Sequence, residues 1–218
     1  MSELETDLRE SYGIVAMLDA LGVRNATVEE SMSFINAFRK IEMDTPEFAK
    51  SFLSVAGFDP VALYQDKGFY TYAFGDTIIL LWQVPKKDGL KVLLITGIVL
   101  SIMIINGLDM GLRLRGAVSI GKVVPRESSK RNINILGPAV TDVASWYEAS
   151  ELIGVVATPN CGQHLNYLQM NPNMAITPKG ESIPLDSCFR KYDVPLKGNS
   201  SRNLWVVSWP QYITDCVS

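Results

Sequence analysis

The 218-residue chain predicts an α+β fold, a mixed and mostly antiparallel sheet with helices packed on it. Three observations predict it. Apolar strand-like runs alternate with segments of helical periodicity, two strand pairs close through tight turns, and no G-x-G-x-x-G occurs to indicate a doubly wound parallel sheet. Apolar residues make up 47% and charged residues 20%, close to the globular average, and the length fits one domain over 1–218 with a core from about 12 to 209.

The elements follow in order. Residues 12–18, YGIVAML, are a short apolar run that stops at Asp19, Leu21 and Gly22, a buried strand ending at a polar turn. Thr27 is placed to cap a helix with Glu29 and Glu30 in its first turn, and Val28, Met32, Ile35 and Phe38 recur at helical steps as far as Ile41. Residues 47–55 predict a second short helix. Residues 68–84 are rich in aromatic and β-branched side chains on both sides of Gly75-Asp76, the pattern of a hairpin with Asp76 at its tip.

Residues 92–108 carry no charge over 17 positions, near the lower limit for a membrane span. Asn106 interrupts the run and Lys91 and Asp109 flank it, so it predicts a helix buried between the sheet and other protein, and no membrane partner. Then come a strand over 112–124, a polar loop over 125–132, a helix over 139–152, the strand GVVATP, and a helix over 161–168. Strands at 192–197 and 204–209 close the chain as a hairpin around Gly198, Asn199, Ser200 and Ser201.

Composition removes several function classes. Twenty basic against 23 acidic side chains leave a net charge of -3, with no electrostatic footprint for nucleic acid. His164 is the one histidine, which disfavours a His-rich zinc site and reads as an ordinary loop or helix residue. Cys161, Cys188 and Cys216 form no C-x-x-C, so a reducing cytoplasm fits, and the acidic start MSELETDLRE is not an export signal.

Two aspartates carry the chemistry: Asp19 after an apolar strand in MLDALGV, and Asp76 in FGDTIIL. Two carboxylates brought within about 4 Å repel by roughly 4 kcal/mol at an effective dielectric of 20, and a divalent cation relieves that. Oxygen ligands select Mg²⁺ or Mn²⁺, here expected as two ions. Each aspartate taken separately also reads as a turn cap.

The succession LDALG, FGD in a hairpin, LRGAVSIGKV, NILGPAVTDVAS and VPLKG resembles the class III nucleotidyl cyclase catalytic domain, with its ferredoxin-like core, over about 12–209. It is most similar to the short bacterial pyrimidine cyclases of Pycsar anti-phage systems. The resemblance implies that Asp19 and Asp76 are catalytic and bind metal together with the Ala20 carbonyl, and that Lys197 reaches the triphosphate. Tyr72 and Asn134 stand at the base-reading positions, where their hydroxyl and amide suit a pyrimidine.

The chain departs from the purine cyclases at Thr141 and Ser145, which stand where those enzymes carry an asparagine and a transition-state arginine. Arg113, Arg115, a residue of the 126–131 loop or a partner subunit is left to supply the charge, and Arg115 is counted with the nucleotide-binding residues. The resemblance implies conversion of UTP, or less favourably CTP, to a 3′,5′-cyclic monophosphate and pyrophosphate. It also implies a homodimer with active sites between subunits, and a separate effector protein that responds to the product. A cyclase-like domain that binds nucleotide without turnover is the alternative, and a metal-dependent nucleotide phosphohydrolase is a third.

Overall fold

The computed structural model describes residues 11–23, 26–59, 69–128 and 132–210, with the backbone alone over 125–128 and 132–134. Its centre is β1 (Ser11–Leu21), flanked on one edge by β3 (Thr77–Gln83) and on the other by β4 (Arg113–Ser128), antiparallel to both. Outward from β3 lies β2 (Phe69–Phe74). Outward from β4 come β6 (Gly154–Ala157), β8 (Ser200–Val207) and β7 (Phe189–Leu196), giving the order β2-β3-β1-β4-β6-β8-β7, and β5 (Asn132–Leu136) pairs with the far end of β4. Only β4 and β6 run parallel, so the sheet is mixed and mostly antiparallel, as the sequence predicts.

Alternation along β1 sorts the core. Ile14, Ala16, Leu18 and Ala20 pack under helices α1 (Val28–Val55), α2 (Gly89–Asp109), α4 (Pro159–Met170) and the short α5 (Leu185–Cys188). Val15 and Met17 face the other way, with Ala139 and Val143 of α3 (Pro138–Trp146) above them. Among the described residues one sheet face therefore carries four α-helices and the other a single nine-residue helix.

Helix α1 corrects two expectations. It begins as predicted, with a capping box in which Thr27 accepts from the Glu30 N–H and Glu30 accepts from the Thr27 N–H. It then runs through Pro46 as one 28-residue helix in place of two. The buried stripe Ala37, Phe38, Ile41, Thr45, Ala49 and Leu53 crosses the proline without losing phase, and that packing outweighs the hydrogen bond that proline cannot make. The second correction concerns the first two turns, where Val28, Met32 and Ile35 are 76%, 61% and 65% exposed, whereas the apolar periodicity predicted them inside.

Helix α2 is long and apolar enough to cross a membrane by length and composition, and two thirds of its most apolar window is buried within the fold. It packs on α1, α4, α5, β1, β4 and β8, so the chain itself covers the faces expected to meet a partner subunit.

Three other boundaries differ from expectation. The predicted loop over 125–132 is mostly strand, because β4 continues to Ser128 and pairs with β5 from Val124↔Leu136 to Ser128↔Asn132. Pro125 is tolerated there at the edge of the sheet. Helix α3 ends at Trp146, six residues early, since the chain turns to meet β7. The closing hairpin pairs Leu196 with Ser200 around Gly198 and Asn199, both at positive φ.

Close approach of β1 and β4 depends on Gly116, which pairs with Leu18, because a Cβ there would collide with the Met17 carbonyl oxygen. Gly116→Ala is expected to lower unfolding stability by about 1–3 kcal/mol in urea denaturation. A loss too small to measure would show that the two strands separate more easily than this packing implies.

Candidate functional site

Asp19 lies inside β1 and not past its end, since the strand extends three residues beyond the predicted stop. It is opposite Thr77 on one side and Arg115 on the other, and it shares the α3 face with Val15 and Met17. Only 7% of the residue is exposed. The Arg115 guanidinium donates from Nε at 3.2 Å and from Nη2 at 2.9 Å, both to Asp19 Oδ2. Burial pushes the Asp19 carboxyl above the usual aspartate range, Arg115 works against that shift, and the Asp76 charge adds to it.

Asp76 reaches the same place through the β2–β3 hairpin. Gly75 at φ 60 supplies the left-handed turn, and the β1–β3 register brings Thr77 level with Asp19. The Ala20 N–H donates to the Asp76 carbonyl at 3.0 Å, which ties the hairpin tip to β1 between the two aspartates. Residues 57 positions apart are thereby close enough for one carboxylate charge to perturb the other.

A second ionic group, which the sequence reading missed, stands beside them. Glu148 accepts from the Tyr147 hydroxyl at 3.0 Å and from Lys197 Nζ at 3.2 Å. These two bonds hold its carboxyl below the usual glutamate range, with weaker help from the Arg115 charge. The backbone fixes the meeting: Lys197 N–H donates to the Ala149 carbonyl at 3.0 Å, Glu151 N–H donates to the Pro195 carbonyl at 2.9 Å, and Ser150 bridges Leu196. Asp142 was also missed. Its Oδ2 accepts from Ser119 at 2.5 Å and from Thr158 at 2.6 Å, which pins α3 to β4 and to the start of α4. Asp142 lies within the motif NILGPAVTDVAS and Glu148 just after it, and both matter only through long-range pairing that a local pattern does not display.

The remaining candidates divide. Tyr72 lies on β2 opposite Ile79, which is itself opposite Met17, so it shares the row beside Asp19 on the α3 face and stacks on Tyr70 at 6.0 Å. The Asn134 backbone pairs with Arg126, and its side chain lies outside the described residues. Ser145 donates back to the Thr141 carbonyl at 2.7 Å within α3, so neither residue projects a charge. Arg113 is exposed on β4, two residues from Arg115. Arg115, expected among the nucleotide-binding residues, is the counter-ion of Asp19.

A cavity of about 500 Å³ opens between the first half of α1 and the hairpin tip, walled by Phe34, Ile35, Phe38, Arg39 and Asp76. Asp19, Arg115 and Lys197 do not line it. Among the described residues no group of three or more histidine, cysteine or acidic side chains converges as a metal site. The donor set here is two carboxylates and the Ala20 backbone, all hard oxygen, and it suits Mg²⁺ or Mn²⁺ better than a softer metal.

No family model matches the chain, and no curated protein sequence matches it. Solved structures do. The catalytic core of a rhodopsin-guanylyl cyclase with converted specificity, in complex with ATPαS, is similar at a TM-score of 0.55 and 14% identity, over 93% of this chain and 98% of that one. The fold is that of a class III nucleotidyl cyclase catalytic domain. The guanylate cyclase domain of RhGC from Catenaria anguillulae, in complex with GTP, gives 0.54 at 14% identity, covering 91% and 97%. The guanylyl cyclase Cya2 gives 0.54 at 14%, covering 92% and 93%. The cyclase-like α+β fold expected from the motifs is therefore found, across the length of the matched domains.

The Asp19–Arg115 pair makes a stability prediction. Arg115→Ala leaves a buried carboxylate without its guanidinium and is expected to cost about 2–4 kcal/mol. The Asp19→Asn/Arg115→Ala double variant should recover at least half of that by urea denaturation. Additive losses in the double variant would contradict the pairing.

Proposed function

We propose that this chain is a metal-dependent nucleotidyl cyclase that converts a pyrimidine nucleoside triphosphate, UTP in preference to CTP, to its 3′,5′-cyclic monophosphate and pyrophosphate. The observation that carries the reading is the register of β1 against β3, which brings Asp19 level with the hairpin that carries Asp76. Lys197 adds a cation paired to Glu148, whose charge in turn reaches Asp19.

The substrate carries about four negative charges, and attack of its own 3′-hydroxyl on the α-phosphorus shifts more charge to the bridging oxygen. Asp19, Asp76 and the Ala20 carbonyl would hold the metal ions, whose Lewis acidity, when they are bound, serves both the attacking hydroxyl and the departing pyrophosphate. Arg115 fixes Asp19 by one oxygen and leaves Oδ1 for the cation side. Lys197 binds the triphosphate, and Arg113, exposed two residues from Arg115, is our choice for the charge that Thr141 and Ser145 lack. Tyr72 and Asn134 read the base, and the preference for a pyrimidine rests on the resemblance of the motifs together with the place of Tyr72 beside the Asp19 row.

A homodimer with the active site between subunits is part of this reading. Its support is the sheet face that, among the described residues, α3 alone covers, together with the exposed Val28, Met32 and Ile35 of α1 and Phe74 at the hairpin tip, the last 82% exposed. In the resembled systems the cyclic product is an anti-phage signal read by a separate effector, and we extend that role to this chain, acting in the cytoplasm.

Incubating the purified protein with each of the four nucleoside triphosphates and Mn²⁺ tests the reaction. Pyrophosphate release and a product at the mass of cyclic UMP are expected, with loss of at least a hundredfold in Asp76→Asn. Release from a purine triphosphate alone would overturn the base assignment. No release from any of the four would leave a nucleotide-binding domain without turnover, and a linear monophosphate would indicate a phosphohydrolase.

A further inference from the structure

Two of the cations at the site, Arg115 and Lys197, already have an anion each. Arg115 is on Asp19 at 2.9 Å, and Lys197 is on Glu148 at 3.2 Å. Taken with Asp76, these paired groups are three carboxylates and two cations, which sum to one negative charge, and neither paired cation is free for a phosphate. The two pairs are not alike. Asp19 and Arg115 are nearly buried, with side chains 10% and 14% exposed, whereas Glu148 and Lys197 are 40% and 51% exposed. The outer pair is the one that exchanges partners at little cost.

Glu148 is also held by something other than Lys197. The Tyr147 hydroxyl keeps one carboxylate oxygen, and the Ser150–Leu196 bridge fixes the chain on either side. Lys197 opens the β7–β8 turn on a flexible four-carbon stem, so when the pair separates it is the lysine that moves. The carboxylate left behind lies within the field of Arg115.

We propose that Glu148 is the resting counter-ion of Lys197, a positioning residue that an incoming polyphosphate must displace. Resting on the cyclase reading, this makes polyphosphate binding depend on the divalent cation. A cation at Asp19 and Asp76 reverses the net charge of the site and draws the polyphosphate in. Lys197 then passes from Glu148 to the phosphate, and Glu148 balances the Arg115 charge that the cation no longer leaves to Asp19 alone. A bare polyphosphate meets a net negative site with its lysine already engaged.

The test is calorimetric titration of the full chain with inorganic tripolyphosphate, with and without Mn²⁺. Wild type is expected to bind weakly without Mn²⁺ and far more tightly with it. Glu148→Gln, a substitution at a half-exposed surface position, should bind the metal-free anion at least about threefold more tightly than wild type. That gain should vanish in Glu148→Gln/Lys197→Met, because it acts through the lysine, and far-UV dichroism with thermal melting confirms that each variant is folded. A gain that persists without Lys197 would reduce Glu148 to a general repulsive charge and overturn the exchange. Equal affinities in wild type and Glu148→Gln, with Mn²⁺-dependent binding intact, would overturn the exchange and spare the cyclase reading. Failure of every form to bind even with Mn²⁺ would overturn both.

Discussion

An aspartate in the interior of a sheet must be neutralised, and in this chain the neutralising group comes from the neighbouring strand. Asp19 faces Arg115 across the β1–β4 ladder, with both guanidinium donors on one carboxylate oxygen. That one constraint orders much of what surrounds it. Gly116 allows the two strands to approach closely at the next position, and the Ala20 N–H, one residue on from Asp19, holds the carbonyl of Asp76 at the hairpin tip. Desolvation opposes the charge while the arginine retains it, so the carboxylate is kept ready for a stronger cation.

The other face of the argument is coverage. Four helices close one side of the sheet, and α2, the most apolar segment of the chain, is consumed in doing so. On the Asp19 side α3 is the one helix among the described residues, anchored by Asp142 to β4 and α4, and its end delivers Tyr147 and Glu148 beside Lys197.

Much of this was legible in the sequence because it is local. The turn at Gly75-Asp76, the cap at Thr27 and the order of strands and helices follow from turn chemistry and periodicity, and the resemblance of the motifs pointed to the fold that the solved structures share. The errors have physical causes. One helix was expected to end at Ile41 and another to span 47–55, yet the buried stripe from Ala37 to Leu53 carries α1 through Pro46 without a break. Val28, Met32 and Ile35 have the spacing of a core face, and periodicity does not say whether the chain supplies a surface to cover it. The polar stretch after residue 124 lacks an apolar strand pattern because it pairs as an edge ribbon. At the site, Asp19 and Asp76 stood out against apolar surroundings, whereas Glu148 and the true partner of Arg115 depend on contacts 49 and 96 residues apart in sequence.

The central claim is that Asp19 and Asp76 together hold a divalent cation. Anomalous diffraction at the manganese edge, from crystals grown with Mn²⁺ and a non-hydrolysable α,β-methylene triphosphate, tests it most directly. The account predicts an anomalous peak between the two carboxylates, with the phosphates on its Lys197 side. Manganese bound elsewhere, or phosphates seated away from both aspartates, would contradict it.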